Sequence, residues 1–337
     1  MTPPLVRMQY LVSEMNNYYA KLLLLTLFVL YNAGCQDSPL KKVMNFPSEN
    51  ENTGGHYPTI NGIYAELNRL QMAQIQNLEL FQVGELTKNE HPIPLVRISS
   101  LNMNNPKHYL FVAGTHGDEA IVVKSMLYAI KKISYEIEKQ PQDGKSYILD
   151  FIPLHNPDGY AENERTNAAG IDLNRNFPYA SAYNVYEPET NALVRLINTE
   201  TYDISLYFHS ANESKYNNVI RCPMEYRKKG PSVLKQSKAT ELNTLIDIII
   251  EAVSGIEPEN VWSVRSDLVD AGGIASDWCV SDFIINGEDK LVQESCKNPH
   301  PSLTLEMTFP KQPLDQSVIK REKGEMLRIL NHLIERL

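Results

Sequence analysis

The stretch "HYLFVAGTHGDEAIVVKSMLYAIKK" (residues 108–132) changes its hydrophobic period part-way along. Residues 108–113 form a largely apolar run of the kind found in strands buried on both faces. From Ile121 onward the apolar positions Ile121, Val122, Met126, Ile130, Ile133 and Ile137 fall on one helical face. The segment therefore reads as strand, turn and helix, and "GTHGDEA" (114–120) is the turn. A second apolar strand, "YILDFIPLH" (147–155), follows the helix. Apolar strands separated by helices require a sheet covered on both faces, which is an α/β architecture.

Working outward, Ile60, Ile63, Tyr64, Leu67 and Leu70 recur at helical spacing, and "LELFQV" (78–83) and "PLVRISS" (94–100) read as strands. Beyond an irregular polar stretch over 156–186 come a helix through "TNALVRLINTE" (190–200), the strand "DISLYFHS" (203–210) and a helix from about 233 to 250. "SLTLEMT" (302–308) is the last strand, and "VIKREKGEMLRILNHLIERL" (318–337) is an amphipathic closing helix. Distinctive polar groups sit at the C-terminal ends of the strands: His116 and Glu119, then "NPDGY" (156–160), then His209. In open α/β sheets that edge is where ligands bind.

The chain has 337 residues, 42% of them hydrophobic and 22% charged, which suffices for one sizeable core. No interdomain linker or internal repeat is visible. Thirty-two basic residues against 41 acidic ones give a formal net charge of −9, unsuited to a nucleic-acid surface. Near the N-terminus the apolar run "LLLLTLFVLY" (22–31) follows Lys21 and precedes "NAGC". Ten residues are too few for a bilayer span of about 20, so residues 1–35 are expected to be an export signal. Ala33-Gly34-Cys35 resembles a bacterial lipoprotein processing box, with Asn32 where that box prefers an aliphatic residue. The expectation is an exported protein, periplasmic or anchored to the membrane through a lipid on Cys35. Residues 36–56 read as a polar tether and 57–337 as the catalytic domain. Cys222, Cys279 and Cys296 permit one disulfide and match no structural zinc spacing.

Catalytic zinc takes three protein ligands and keeps a position open for water. His116, Glu119 and His209 can supply the three, two from one strand-to-helix turn and one from another strand end. An isolated His-x-x-Glu is usually a surface turn, and an isolated histidine usually a hydrogen-bonded core residue. Context favours the metal reading, because "NPDGYAENERTNAAGIDLNRNFP" (156–178) brings Arg165, Asn174 and Arg175 to the same edge. Guanidinium forks match carboxylates, so arginines beside a metal suit an anionic substrate. Glu306, in "SLTLEMT", faces either solvent or that pocket.

The ordered set "HGDE", "NPDGY", "DLNRNF", "FHS" and "TLE" resembles the zinc carboxypeptidases of the carboxypeptidase A type over roughly 57–337. It is most similar to the short bacterial branch that includes the murein peptide amidases. The resemblance implies a single domain around a mixed, largely parallel, twisted sheet of about eight strands. It implies one Zn2+ on His116, Glu119 and His209, with Glu306 as general base and acid and Arg165 polarising the scissile carbonyl. Asn174 and Arg175 would hold the substrate's terminal carboxylate, and Asp172 would accept a hydrogen bond from His116 and fix its tautomer. The expected substrate is a peptide or muropeptide with a free carboxylate, with the γ-D-glutamyl to diaminopimelate bond as the specific target. Arg221, Arg265 or Asp277 would pair with the charges of that leaving residue. One departure stands out: the mobile tyrosine of the digestive enzymes is replaced by Leu268, and no tyrosine follows Tyr226. Two rivals are an N-acyl amino acid deacylase of the aspartoacylase type and a catalytically silent cell-wall binding module.

Overall fold

Leu206 and Phe208 belong to one buried apolar cluster, and Tyr207 between them belongs to a second. The same division recurs at Leu110, Phe111 and Val112. It follows from the two-residue period of a strand, which sends neighbours to opposite faces, and it places a core on each side of the sheet. The computed structural model describes residues 38–43, 45–47, 57–101, 103–139, 145–178, 185–211, 219–221, 236–254, 263–265, 275–279, 296–308 and 316–336.

The strands are β1 (Leu40–Lys42), β2 (Leu78–Val83), β3 (Ile93–Ser99), β4 (Lys107–Val112), β5 (Tyr147–Ile152), β6 (Ile204–Ala211), β7 (Val219–Arg221), β8 (Ser263–Arg265) and β9 (Ser302–Thr308). They form one sheet in the order β1-β2-β3-β5-β4-β6-β9-β7-β8. Parallel pairing links β5, β4, β6 and β9 at the centre and β7 to β8 at the edge. The pairs β1–β2, β2–β3, β3–β5 and β7–β9 are antiparallel. The expected mixed α/β sheet is present, with nine strands among the described residues and antiparallel pairing on both flanks.

Helices α1 (Ile60–Met72), α2 (Ala120–Lys139), α5 (Gln236–Val253) and α7 (Gln316–Glu335) cover one face. Helices α4 (Pro188–Thr199) and α6 (Ala275–Cys279) cover the other, where Leu193, Leu196 and Trp278 pack under Tyr207 and Phe177. Helix α1 begins where Thr59 caps it, its hydroxyl accepting from the Gly62 N–H. Short α3 (Pro157–Glu162) follows β5 and packs against α1.

The tether expected over 36–56 is corrected in its first part. Leu40, Lys41 and Lys42 pair with Val83, Gln82 and Phe81, and buried Phe46 exchanges backbone hydrogen bonds with the Asn68 side chain. Polar composition hid this strand because an edge strand exposes one face and tolerates lysine there. Pro39–Leu337 forms a single compact unit, so order begins earlier than Tyr57. The export segment, Cys35, Cys222 and Leu268 lie outside the described residues, as do the side chains of Arg221, Arg265 and Asp277.

Candidate metal centre

Two strand ends build most of the site. After β4, Gly114 turns the chain with φ +66°, a left-handed conformation that favours glycine, and a Cβ there would lie 2.9 Å from Val123. Backbone bonds from His155 N to Ala113 O and from Asn156 N to Gly114 O carry the parallel pairing past the ends of β4 and β5. "NPDG", part of the stretch read as irregular, starts a short helix instead. Asn156 accepts from the Gly159 N–H and Pro157 takes the first helical position, so these residues start α3.

The two turns touch through glycine. A Cβ on Gly117 would stand 2.0 Å from the Gly159 carbonyl carbon and 2.3 Å from Tyr160 N, both backbone atoms unable to swing aside. Gly117→Ala is expected to force the turns apart and lower stability by about 3 kcal/mol, at the upper end of small-to-large substitutions. A denaturant midpoint unchanged from the parent protein would refute this contact.

His116, Glu119 and His209 converge and are all buried. His209 Nδ1 lies 3.1 Å from His116 Nδ1 and 3.1 Å from Glu119 Oε2, and Glu119 Oε1 lies 2.7 Å from His116 Nδ1. A tetrahedral site with metal–ligand bonds of about 2.1 Å has edges of about 3.4 Å, so the two 3.1 Å separations already approach a coordination polyhedron. The donor set fits as well. His116 Nε2 donates to Asp172 Oδ1 at 3.1 Å, which leaves Nδ1 with its lone pair, and that lone pair faces the Nδ1 of His209. A shared cation satisfies both rings and the carboxylate together.

The electrostatics agree. Burial would raise the Glu119 carboxyl, but the charges and hydrogen bonds of His116 and His209 outweigh it and hold the group well below the usual carboxylate range. Burial pulls His116 down, while the Glu119 charge and the hydrogen bonds to Asp172 and Glu119 lift it to about 9 in the absence of a cation. Asp172 is also opposed by burial, and His116, Arg165 and Arg175 bring it well below its ordinary value.

Asp172 organises the rim. Its Oδ1 also accepts from Asn174 N at 2.9 Å, and its Oδ2 accepts from Arg165 Nε at 3.1 Å. Arg165 Nη1 lies 3.8 Å from Glu119 Oε1, and its half-exposed side chain borders the metal cluster. The 3-10 turn Leu173–Arg175 carries the other two candidates. Arg175 Nη1 donates to Asn174 O at 2.7 Å. The amide of Asn174 lies between His209 Nε2, 3.4 Å away, and Ala275 N, which donates to it at 3.3 Å. That contact with a ligand ring was not foreseen from sequence. Glu306 is in register with His209 in the parallel β6–β9 pair, so the two side chains leave the same face of the sheet on adjacent strands.

Sequence reading also missed His155. The ring is fully buried, and its Nε2 donates to the Glu189 carbonyl at 3.0 Å. Burial, with the nearby His209 and His116, takes it down to about 4. Its folded value thus lies below the ordinary value near 6.5. Between those values the unfolded chain binds a proton that the folded chain does not, so stability falls as pH drops from about 6.5 to 4. His155→Gln is expected to flatten that part of the profile in thermal unfolding scans. An unaltered slope would show that other groups carry it.

A buried His-Glu-His cluster at the C-terminal edge of a mixed α/β sheet gives the chain the layout of an α/β protein with a metal site. A family model described as zinc carboxypeptidase matches residues 63–327, and the chain belongs to that family. It is 30% identical over 150 residues to carboxypeptidase M of Mus musculus, covering 40% of this chain and 31% of that protein. It is 38% identical over 72 residues to murein peptide amidase A of Escherichia coli (strain K12), covering 21% of this chain and 26% of that one. The matched segments thus span about a third or less of these curated relatives. The fold is shared with the carboxypeptidase A of Helicoverpa armigera, at a TM-score of 0.65 and 19% identity over 96% of this chain and 81% of that chain.

Proposed function

We propose that the chain is a zinc metallocarboxypeptidase that hydrolyses a C-terminal amide bond, with cell-wall peptides as its substrate class. The observation that carries this reading is the convergence of His116, Glu119 and His209 beside a strand that brings Glu306 into register with His209. A zinc ion held by the three ligands would polarise the scissile carbonyl and acidify a water. Glu306 takes the proton from the attacking water and passes it to the departing amine. Arg165 donates to the oxygen that becomes negative, and Asp172 holds both that guanidinium and the His116 ring in place. Arg175, with Asn174 beside it, pairs with the substrate's terminal carboxylate.

The similarity to murein peptide amidase A supports cell-wall peptides as the substrate class, and within that class the γ-D-glutamyl to diaminopimelate bond is the proposed target. The export signal and lipid attachment at Cys35 belong to the same proposal and would place the enzyme in the periplasm or on a membrane facing the wall. An aspartoacylase-type activity would act on N-acetylaspartate instead, and a silent binding module would bind muropeptides without cleaving them. Incubating the protein with digested peptidoglycan, with and without chelator, and reading product masses tests all three. Chelator-sensitive release of diaminopimelate from peptides that end in it is expected. Turnover of N-acetylaspartate alone, or zinc binding with no cleavage, overturns the reading.

A further inference from the structure

We propose that Glu189 is a positioning residue from which both loops of the metal centre are held, an inference that rests on the hydrolase reading above. Glu189 lies in the first turn of α4 and is fully buried, yet it touches none of the three candidate ligands. Two separate arms leave it.

The first arm starts at its backbone carbonyl, which accepts from His155 Nε2 at 3.0 Å. With Nε2 donating, the other ring nitrogen is an acceptor, and the Thr115 hydroxyl lies 3.3 Å from it. Thr115 immediately precedes His116. The second arm starts at the carboxylate, whose Oε2 accepts from Asn167 Nδ2 at 3.1 Å, a donor that also reaches the partly exposed Glu187 Oε2 at 2.9 Å. Asn167 closes its own turn: its Oδ1 accepts from Ala169 N and Ile171 N, each at 3.0 Å, and its backbone N–H donates to Ile171 O. Arg165 lies two residues before this hub and Asp172 directly after Ile171, so the hub sets both ends of the Arg165–Asp172 ion pair at the rim.

The chemistry of Glu189 suits holding rather than reacting. Burial, reinforced by the neighbouring Asp158 and Glu187 charges, raises its carboxyl above the ordinary range. Its Oε1 has no hydrogen-bond partner among the described residues, so nothing in the arrangement requires a second charged oxygen. A carbonyl oxygen in the place of Oε2 would serve Asn167 equally well.

The test compares Glu189→Ala, Glu189→Gln, Asn167→Ala and the Glu189→Ala/Asn167→Ala pair in the full, zinc-loaded chain. Zinc affinity is read by competition with a chelating dye, and kcat and KM are read on the hydrolysed peptide. Glu189→Ala and Asn167→Ala are each expected to weaken zinc roughly 10- to 100-fold, the effect of losing an outer partner of a ligand, and to lower kcat more than they raise KM. The pair should be no worse than the poorer single variant, and Glu189→Gln should stay within about threefold of the parent on the same scale. Zinc affinity unchanged in Asn167→Ala, a Glu189→Gln protein as poor as Glu189→Ala, or multiplying effects in the pair would each overturn the proposal. Asn167 lies in a loop, so its variant decides the matter should Glu189→Ala fail to fold. Should the parent cleave no amide, the hydrolase reading fails while the zinc measurements still judge Glu189.

Discussion

Replacing Glu306 by glutamine is expected to leave zinc content unchanged and to lower kcat by roughly 1,000-fold or more. Glu306 is proposed to move a proton twice, once from water and once to the departing amine, and general acid–base catalysis alone contributes roughly 100- to 10,000-fold. The substitution preserves size and removes only the ability to accept a proton at that point. It lies one strand away from His209 and outside the ligand set, so metal retention separates a lost base from a damaged site. Metal analysis and steady-state kinetics on the same sample check both halves. A kcat within tenfold of the parent would remove Glu306 from the mechanism.

His209→Ala is expected to abolish zinc binding at micromolar metal and all activity with it. Three protein ligands are the minimum for a catalytic zinc, and the substitution leaves two. It also strips Glu119 of the His209 partner at its Oε2, leaving the Ser210 N–H, at 3.0 Å, as the donor there among the described residues. A buried carboxylate that loses a charged partner takes up a proton more readily, and a protonated carboxyl is a poor ligand. The loss should exceed the roughly 10- to 100-fold that an outer partner of a ligand costs. Zinc bound stoichiometrically by the variant would show that the centre is built from other groups.

The parts of this molecule legible in the sequence share one property: their signal is local and repeats. The strands β2 to β6 and β9 carry an alternating or continuous apolar pattern, and the long helices a helical period, over six or more residues. Strands β1, β7 and β8 have three residues each, too few for any period to show, and their place is set by partners far along the chain. At the candidate metal centre, the meeting of His116, Glu119, His209 and Asp172 was legible because their side-chain chemistry is specific and their order along the chain matches a known pattern. His155 and the Asn167–Glu189 contact were not. Their roles arise from a ring nitrogen meeting a backbone carbonyl and an amide meeting a buried acid, each across 22 or 34 positions. Asn156 lay between these cases, since an asparagine directly before a proline is a helix-capping signature that marks a helix start inside the stretch read as irregular.

Glu306 sits on a strand bonded on both sides, to His209 in β6 and to Val219 in β7. A backbone clamped between two neighbours has no slack, so accommodation to differently shaped amides must come from the surrounding loops. An effort to retarget this scaffold by directed evolution should therefore hold the β6–β9–β7 triplet and Arg165 constant and randomise the exposed loop positions beside it, Glu162 to Glu164.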